Sequence, residues 1–431
     1  MIKNWHASRV PLESCRCIVI NRDGLIFVLH EPYAQPPQLL CFNVNGELIW
    51  QREAGGTYFI TCYSKDHPPR EIRLHVGDRT LRAADDGTVW LGSSDGLQAF
   101  NSAGEEIETL PWPLETNEQL GSFVLLPDGF LALLHQYRYQ DESNPTDLTP
   151  RCIYLRRDGT MKWQTKLPID VISHQRATHQ GVSTGWKSEV MPPWRPQSWK
   201  ADSYVRNPLL VGENRILASF IEIRTGLGIS YLLDLATANL LWETEPQYLG
   251  WMAVADGGTF LVTHDGALRR IAKDGGFSQE WMNGGAPVLT DDGGVHLKEP
   301  FGGRRRKFTA IDSSGAVQTW ELEHDYAFPY MAHSSDGRTV LWSRGKLLTF
   351  KDGKFATRLE APDYCGDFVQ SHMLLHPSGT LVFALSGYPQ GPTKLWLVET
   401  DLAPLADSPW PCADGNLAGN PVYHPQPTVK E

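Results

Sequence analysis

The 431-residue sequence predicts an all-β fold: an eight-bladed β-propeller of four-stranded antiparallel blades, with seven blades as the alternative count. Three observations carry this reading. Apolar residues come in short alternating or continuous runs that end in turn residues, and no long stretch repeats them at the i, i+3, i+4, i+7 spacing of a helix. Gly 39 and Pro 30 are spread along the chain without a low-complexity tract, which means many turns and short elements. The turns themselves fall into two alternating series.

The first series follows the opening strand of each unit: Asp23-Gly24, Asp86-Gly87, Asp128-Gly129, Glu213-Asn214, Asp256-Gly257, Asp292-Gly293, Asp336-Gly337 and Ser378-Gly379. The second comes later in each unit: Asn45-Gly46, Ala103-Gly104, Asp158-Gly159, Thr237-Ala238, Asp274-Gly275, Ser314-Gly315, Asp352-Gly353 and Thr400-Asp401. Across the later units the second series steps by roughly 37–40 residues, the length of one four-stranded blade. Trp242, Trp281 and Trp320 keep a spacing of 39 residues, and Trp50 and Trp163 each stand four residues after a turn glycine. A Trp at a fixed point of the outer strand can lie between neighbouring blades and give each interface the same geometry.

Coarse blade limits are 8–56, 78–112, 119–168, 205–247, 249–283, 285–324, 328–361 and 369–411, forming a single propeller over 1–411. Three insertions break the period: 57–77, 136–151 and 169–204. The tail, 412–431, is expected to pack on blade one or hang loose, and Trp5 to Val10 to add a strand to the last blade and close the ring.

The formal charge of -11 repels phosphate backbones and anionic bilayers, so nucleic acid and membrane are poor partners. Apolar runs of about five residues, as in Phe130 to Leu134, fall well short of the ~20 needed to span a bilayer. Seven dispersed cysteines without C-x-x-C spacing fit reduced thiols, and no apolar leader opens the chain, so the expected compartment is cytoplasmic. Cys15 and Cys17 have the spacing of one strand face.

Residues 234–242, DLATANLLW, match the D-x-x-T-G-x-x-x-W core of the repeat in pyrroloquinoline-quinone-type (PQQ-like) β-propellers, with Ala238 in place of Gly. AIDSSGAVQTW (310–320) matches with one extra residue, while FNVNGELIW (42–50) and YLRRDGTMKW (154–163) keep the Trp and a shorter turn. The chain thus resembles this family, as architecture over most of its length and specifically in about four blades. The resemblance implies an eight-bladed ring. Quinone-dependent dehydrogenases of the family hold their cofactor beside an adjacent Cys-Cys disulfide and ligate calcium through Glu, Asn and Asp, and this sequence has no adjacent Cys pair. No quinone is therefore expected, and calcium or zinc stays open without a ligand set in the sequence to support it. Cytoplasmic bacterial propellers of this look accompany AAA+ ATPases and von Willebrand-type proteins in multi-gene systems, which points to a non-catalytic scaffold.

The insertion 169–204 is the richest candidate for function. Its 36 residues lack strand alternation and carry Arg176, Trp186, Trp194, Arg195, Trp199 and Tyr204, residue types enriched in protein-binding hot spots. His174 and His179, with His135 or Asp170, are the residues a zinc site would draw on. A competing class is a metal-dependent, lactonase-like hydrolase with Glu222 and His296 lining the central channel. A third is anion or RNA binding through the basic run 302–307, with Arg304, Arg305 and Arg306 on a hairpin tip. The repeated Asp-Gly turns read as ordinary hairpin chemistry rather than calcium loops.

Overall fold

A computed structural model describes residues 5–30, 36–54, 58–64, 67–74, 80–93, 95–115, 118–136, 150–168, 199–200, 208–222, 227–245, 247–282, 284–299, 306–323, 330–361, 368–369, 373–386, 393–412 and 415–423. The chain forms eight antiparallel blades in a ring. Blade 1 runs from its inner strand outward as Cys17–Ile20, Ile26–His30, Gln38–Phe42 and Leu48–Glu53. Blade 2 follows as Thr80–Ala83, Val89–Ser93, Gly96–Phe100 and Glu106–Leu110, and blade 3 as Glu118–Leu126, Gly129–Gln136, Arg151–Arg156 and Met161–Lys166. Blade 4 comprises Leu209–Val211, Arg215–Glu222, Leu227–Asp234 and Leu240–Glu243, and blade 5 Gln247–Val254, Phe260–His264, Ala267–Ile271 and Phe277–Trp281. Blade 6 is Ala286–Leu289, Val295–Lys298, Arg306–Ile311 and Val317–Leu322, and blade 7 is Met331–His333, Thr339–Ser343, Lys346–Lys351 and Lys354–Glu360.

Blade 8 closes the ring. Phe368–Val369 and Leu374–Leu375 both pair with Thr380–Ser386, which pairs with Thr393–Glu399. The outer strand comes from the other end of the chain: His6–Leu12 pairs antiparallel with Thr393–Glu399, from His6↔Glu399 to Leu12↔Thr393. A polar clamp sits beside this seam. The Trp5 Nε1–H donates to Asp401 Oδ1 at 2.8 Å, and Arg338 of blade 7 bridges Asp401 and Asp336. Burial raises the Asp336 carboxyl, but Arg338 and the N–H groups of Ala403 and Arg338 outweigh it and hold its pKa at about 2.

Inner strands such as Cys17–Ile20 and Ala286–Leu289 are buried along their length, whereas outer strands such as Glu106–Leu110 and Met161–Lys166 are exposed or half-buried, so the apolar core lies between blades. The turns form through a residue two or three positions before the turn pair. Asn43, Asn101 and Asp312 each accept, through Oδ1, the backbone N–H groups two and four residues on, at 2.9–3.0 Å. This is the local hydrogen bonding that makes Asx residues turn formers, and it accounts for these side chains without calcium.

The repeat Trp residues sit between blades. Trp50 of blade 1 lies against Gly104 in the third-to-outer turn of blade 2, and its Nε1–H donates to the Ser102 carbonyl at 3.0 Å. Trp163 donates to the Leu235 carbonyl of blade 4, Trp242 lies on Gly275 of blade 5, and Trp320 on Gly353 of blade 7. Where the Trp is missing an aliphatic group takes its place: Leu110 faces Gly159 of blade 3, and Val10 with Leu397 faces Gly46 of blade 1. Trp281 is the exception. It packs on the core shared by blades 4 to 6, while a Cβ at Gly315 would meet nothing within 4 Å.

Two positions therefore separate docking from backbone strain. Gly104 has φ +78 and Gly315 φ +88, so alanine at either incurs the left-handed penalty of ~1–2 kcal/mol. At Gly104 a Cβ would also stand 2.6 Å from the Trp50 ring. Urea unfolding is expected to show Gly315→Ala losing about 1 kcal/mol and Gly104→Ala about 3 kcal/mol, the excess reflecting overpacking of the interface. Equal losses would show that the ring does not rest on the turn.

Candidate functional site

Antiparallel strands sort the connections onto two faces. The inner-to-second and third-to-outer turns lie on one, the turn face; the second-to-third loops and blade-to-blade connections lie on the other, the connector face. All three long insertions leave on the connector face. Residues 136–151 join the second and third strands of blade 3, and 57–77 and 169–204 join consecutive blades. A hairpin, Tyr58–Ser64 with His67–Leu74, stands between blades 1 and 2.

Arg176, Trp186, Trp194, Arg195 and Tyr204 lie outside the described residues, as do His174, His179 and Asp170. Trp199 opens a two-residue strand, Trp199–Lys200, which pairs with Glu222 and Ile221 at the end of blade 4's second strand. The far end of the insertion is thus anchored on the connector face. Arg304 and Arg305 are also outside the described residues. Arg306 differs from the expected hairpin tip: it begins the third strand of blade 6 and is 1% exposed, donating to the Glu299 carbonyl, so its charge faces inward.

The channel residues proposed from sequence are also placed differently. Glu222 and His296 belong to second strands, not inner ones, and His296 sits between blades 6 and 7. Cys15 and Cys17 do not share a face, since they pack in separate core clusters. Burial pushes the Cys41 thiol up to about 12, so it stays protonated. Among the described residues no group of three His, Cys, Asp or Glu converges to hold a metal ion, and no helix is long and apolar enough to cross a membrane.

On the turn face the tail crosses the channel mouth. Backbone carbonyls of the tail and of the two residues before it accept end N–H groups of inner strands: Leu417 from Ile20, Ala418 from Ala83, Pro421 from Val211, Trp410 from Leu289 and Pro411 from His333, at 2.7–3.0 Å. Asn420 both accepts from the Leu125 N–H and donates to its carbonyl, at 3.0 and 2.9 Å. The tail with these two residues thus joins six blades rather than blade one alone, and satisfies inner edges that would otherwise stand unpaired.

Comparisons with known proteins give no family for the chain. No family model matches it, and no curated protein sequence matches it. Solved structures are similar over long spans at low identity. Virginiamycin B lyase from Staphylococcus aureus covers 92% of this chain and 99% of its own at 10% identity, with a TM-score of 0.44. The Pan2 WD40 domain of Neurospora crassa covers 81% and 96% at 10% identity (TM-score 0.43), and the hydrazine synthase of Kuenenia stuttgartiensis 90% and 96% at 10% (TM-score 0.40). The propeller assignment rests on the blades themselves.

Between blades 6 and 7 the turn face opens into a cavity of about 590 Å³, lined by His296, His333, Trp320 and Phe350 with several aspartates. His296 and His333 share a single hydroxyl, each Nδ1 lying 2.7 Å from Thr339 Oγ1. Burial first, then the neighbouring His333, pushes the pKa of His296 down to about 3 against the pull of Asp292. Burial pushes His333 down to about 4. A third ring, His264 of blade 5, is fully buried with neither nitrogen hydrogen-bonded to a described residue, and burial followed by the charge of Arg269 lowers it to about 3.

These rings stay neutral in the folded chain and titrate near 6.5 when unfolded. The stability they contribute is complete above that value and falls away toward pH 4, at up to about 1.4 kcal/mol per pH unit for each ring. Urea unfolding at pH 7, 6 and 5 should show a steady decline. His264→Leu is expected to remove one ring's share of that slope and to match or exceed the parent at pH 7, because it deletes two unsatisfied buried nitrogens. A parent stability flat from pH 7 to 5 would contradict neutral burial.

Proposed function

We propose that this propeller is a non-catalytic scaffold that binds a protein partner on its connector face, with the insertion 169–204 as the main contact and the segments 57–77 and 136–151 beside it. The observation that carries this reading is the division of the two faces. The tail lies over the channel mouth on the turn face, and every long insertion issues from the other. The inner strands support it further: stretches such as CIVI, LLV and APVL offer a wall of buried apolar side chains. A rigid ring that presents one cluster of aromatic- and arginine-rich chain is suited to holding a partner, because large side chains bury area at small entropy cost. On this reading Trp186, Trp194, Arg195, Trp199, Tyr204 and Arg176 make the contact, and the partner belongs to a multi-protein assembly.

Replacing 169–198 by a short Gly-Ser linker keeps the strand at Trp199–Lys200 and tests the reading directly. The variant is expected to melt cooperatively, like the parent, and to lose capture of its partner from native lysate. Replacing Trp186, Trp194 and Arg195 together by alanine should weaken capture at least about 100-fold, as the loss of clustered hot spots does. Unchanged capture by both variants would overturn it.

A further inference from the structure

The cavity between blades 6 and 7 is on the opposite face from the proposed partner contact and has a chemistry of its own. Four carboxylates at its rim, Asp291, Asp292, Asp312 and Asp352, form no ion pair with a described residue. Asp291 is raised by burial and then by the charges of Asp407 and Asp292, the sign of like charges gathered without a cation. Of the cations nearby, Arg338 is ion-paired with Asp336 and Asp401, and Lys351, which lines the cavity, is held to the Asp336 backbone carbonyl at 2.5 Å.

The floor adds an independent observation. Thr339 has one hydroxyl proton and two imidazole Nδ1 neighbours, so it can donate to one ring and must accept from the other. The ring that donates through Nδ1 keeps a bare Nε2. Neither Nε2 is hydrogen-bonded to a described residue, although His333 is only 3% exposed and both rings line the cavity. A buried imidazole therefore offers an unused acceptor to whatever enters. Beside it the Trp320 and Phe350 rings lie 4.7 Å apart, an aromatic wall for a charged group.

We propose that this cavity binds an organic cation bearing N–H donors on an aliphatic stem, a guanidinium or primary ammonium, either free or as the side chain of a peptide. Its donors bond the rim carboxylates and the bare imidazole nitrogen, and its stem or planar head lies on the Trp320 face. A neutral floor suits such a ligand, since two imidazolium rings would repel it. A divalent metal fits less well, because no three donors converge among the described residues.

Isothermal titration of the full chain with agmatine, and separately with an N-acetylated, amidated Gly-Arg-Gly peptide, tests the assignment. Saturable one-site binding of either supports it, and the tighter of the two identifies the source of the cation. The side chains of Asp291 and Asp352 make no turn or cap bond to a described residue, and Asp352 has the positive φ of 50 that asparagine tolerates. The double variant Asp291→Asn and Asp352→Asn should thus fold normally and bind about 10-fold or more weakly, as the loss of charge-assisted bonds predicts. Heats that are absent, equal in parent and variant, or abolished by stoichiometric calcium would overturn the proposal.

Discussion

The ring depends on one repeated contact: a large side chain on the outer strand of one blade set against the third-to-outer turn of the next. Blades share few backbone hydrogen bonds, so the angle between them is fixed by side chains. The glycine at the turn lets the indole approach within van der Waals range, as Gly104 does for Trp50. Where the Trp gives way to Leu110 or Val10 the geometry persists, which shows that apolar area at that point matters more than the indole itself. Blade 4 keeps the position with Ala238 at φ 62, so the contact is maintained even where a side chain must take a left-handed backbone. The arrangement resembles a solenoid, in which each repeat is stabilised by its neighbours, bent until the last repeat meets the first.

Closing the ring creates two unlike faces. Inner strands end at the channel with one edge unpaired, and the described part of the tail answers those groups on the turn face. Loop length follows the same division. Turns between third and outer strands are held short by their Asx bonds, whereas the connector face tolerates insertions because loops there lengthen at little entropic cost. The cavity between blades 6 and 7 opens on the turn face beside the docked Trp320, which forms part of its wall.

Much of the architecture was legible in the sequence, because propeller repeats are written in local chemistry. Turn pairs and the Trp a few residues beyond them are short-range signals, and they indicated the number of blades, while the strand that closes the last one followed from the need to close the ring. Radial position was not legible. A strand's burial pattern does not say whether it is first or second from the axis, so His296 read as a channel residue although it lies between blades, and Arg306 read as a tip although its strand begins there. The cavity was invisible for a stronger reason: His296, His333 and Thr339 meet through a single hydroxyl across two blades, and no periodicity in the chain announces that meeting. Its aspartates read as turn formers, which they also are.

The seam in blade 8 bears on how the molecule is made. Trp5 and Asp401 are 396 positions apart, and joining them closes a loop about ten times longer than a single blade, at an entropic cost roughly 2 kcal/mol greater. The strand His6–Leu12 finds its pairing edge only after all eight blades have been synthesised. Before that pairing forms, Thr393–Glu399 has an open edge and His6–Leu12 has no partner, so ring closure is a non-local contact that raises the contact order of the fold. An open edge of this kind is also where strand exchange with another copy can occur.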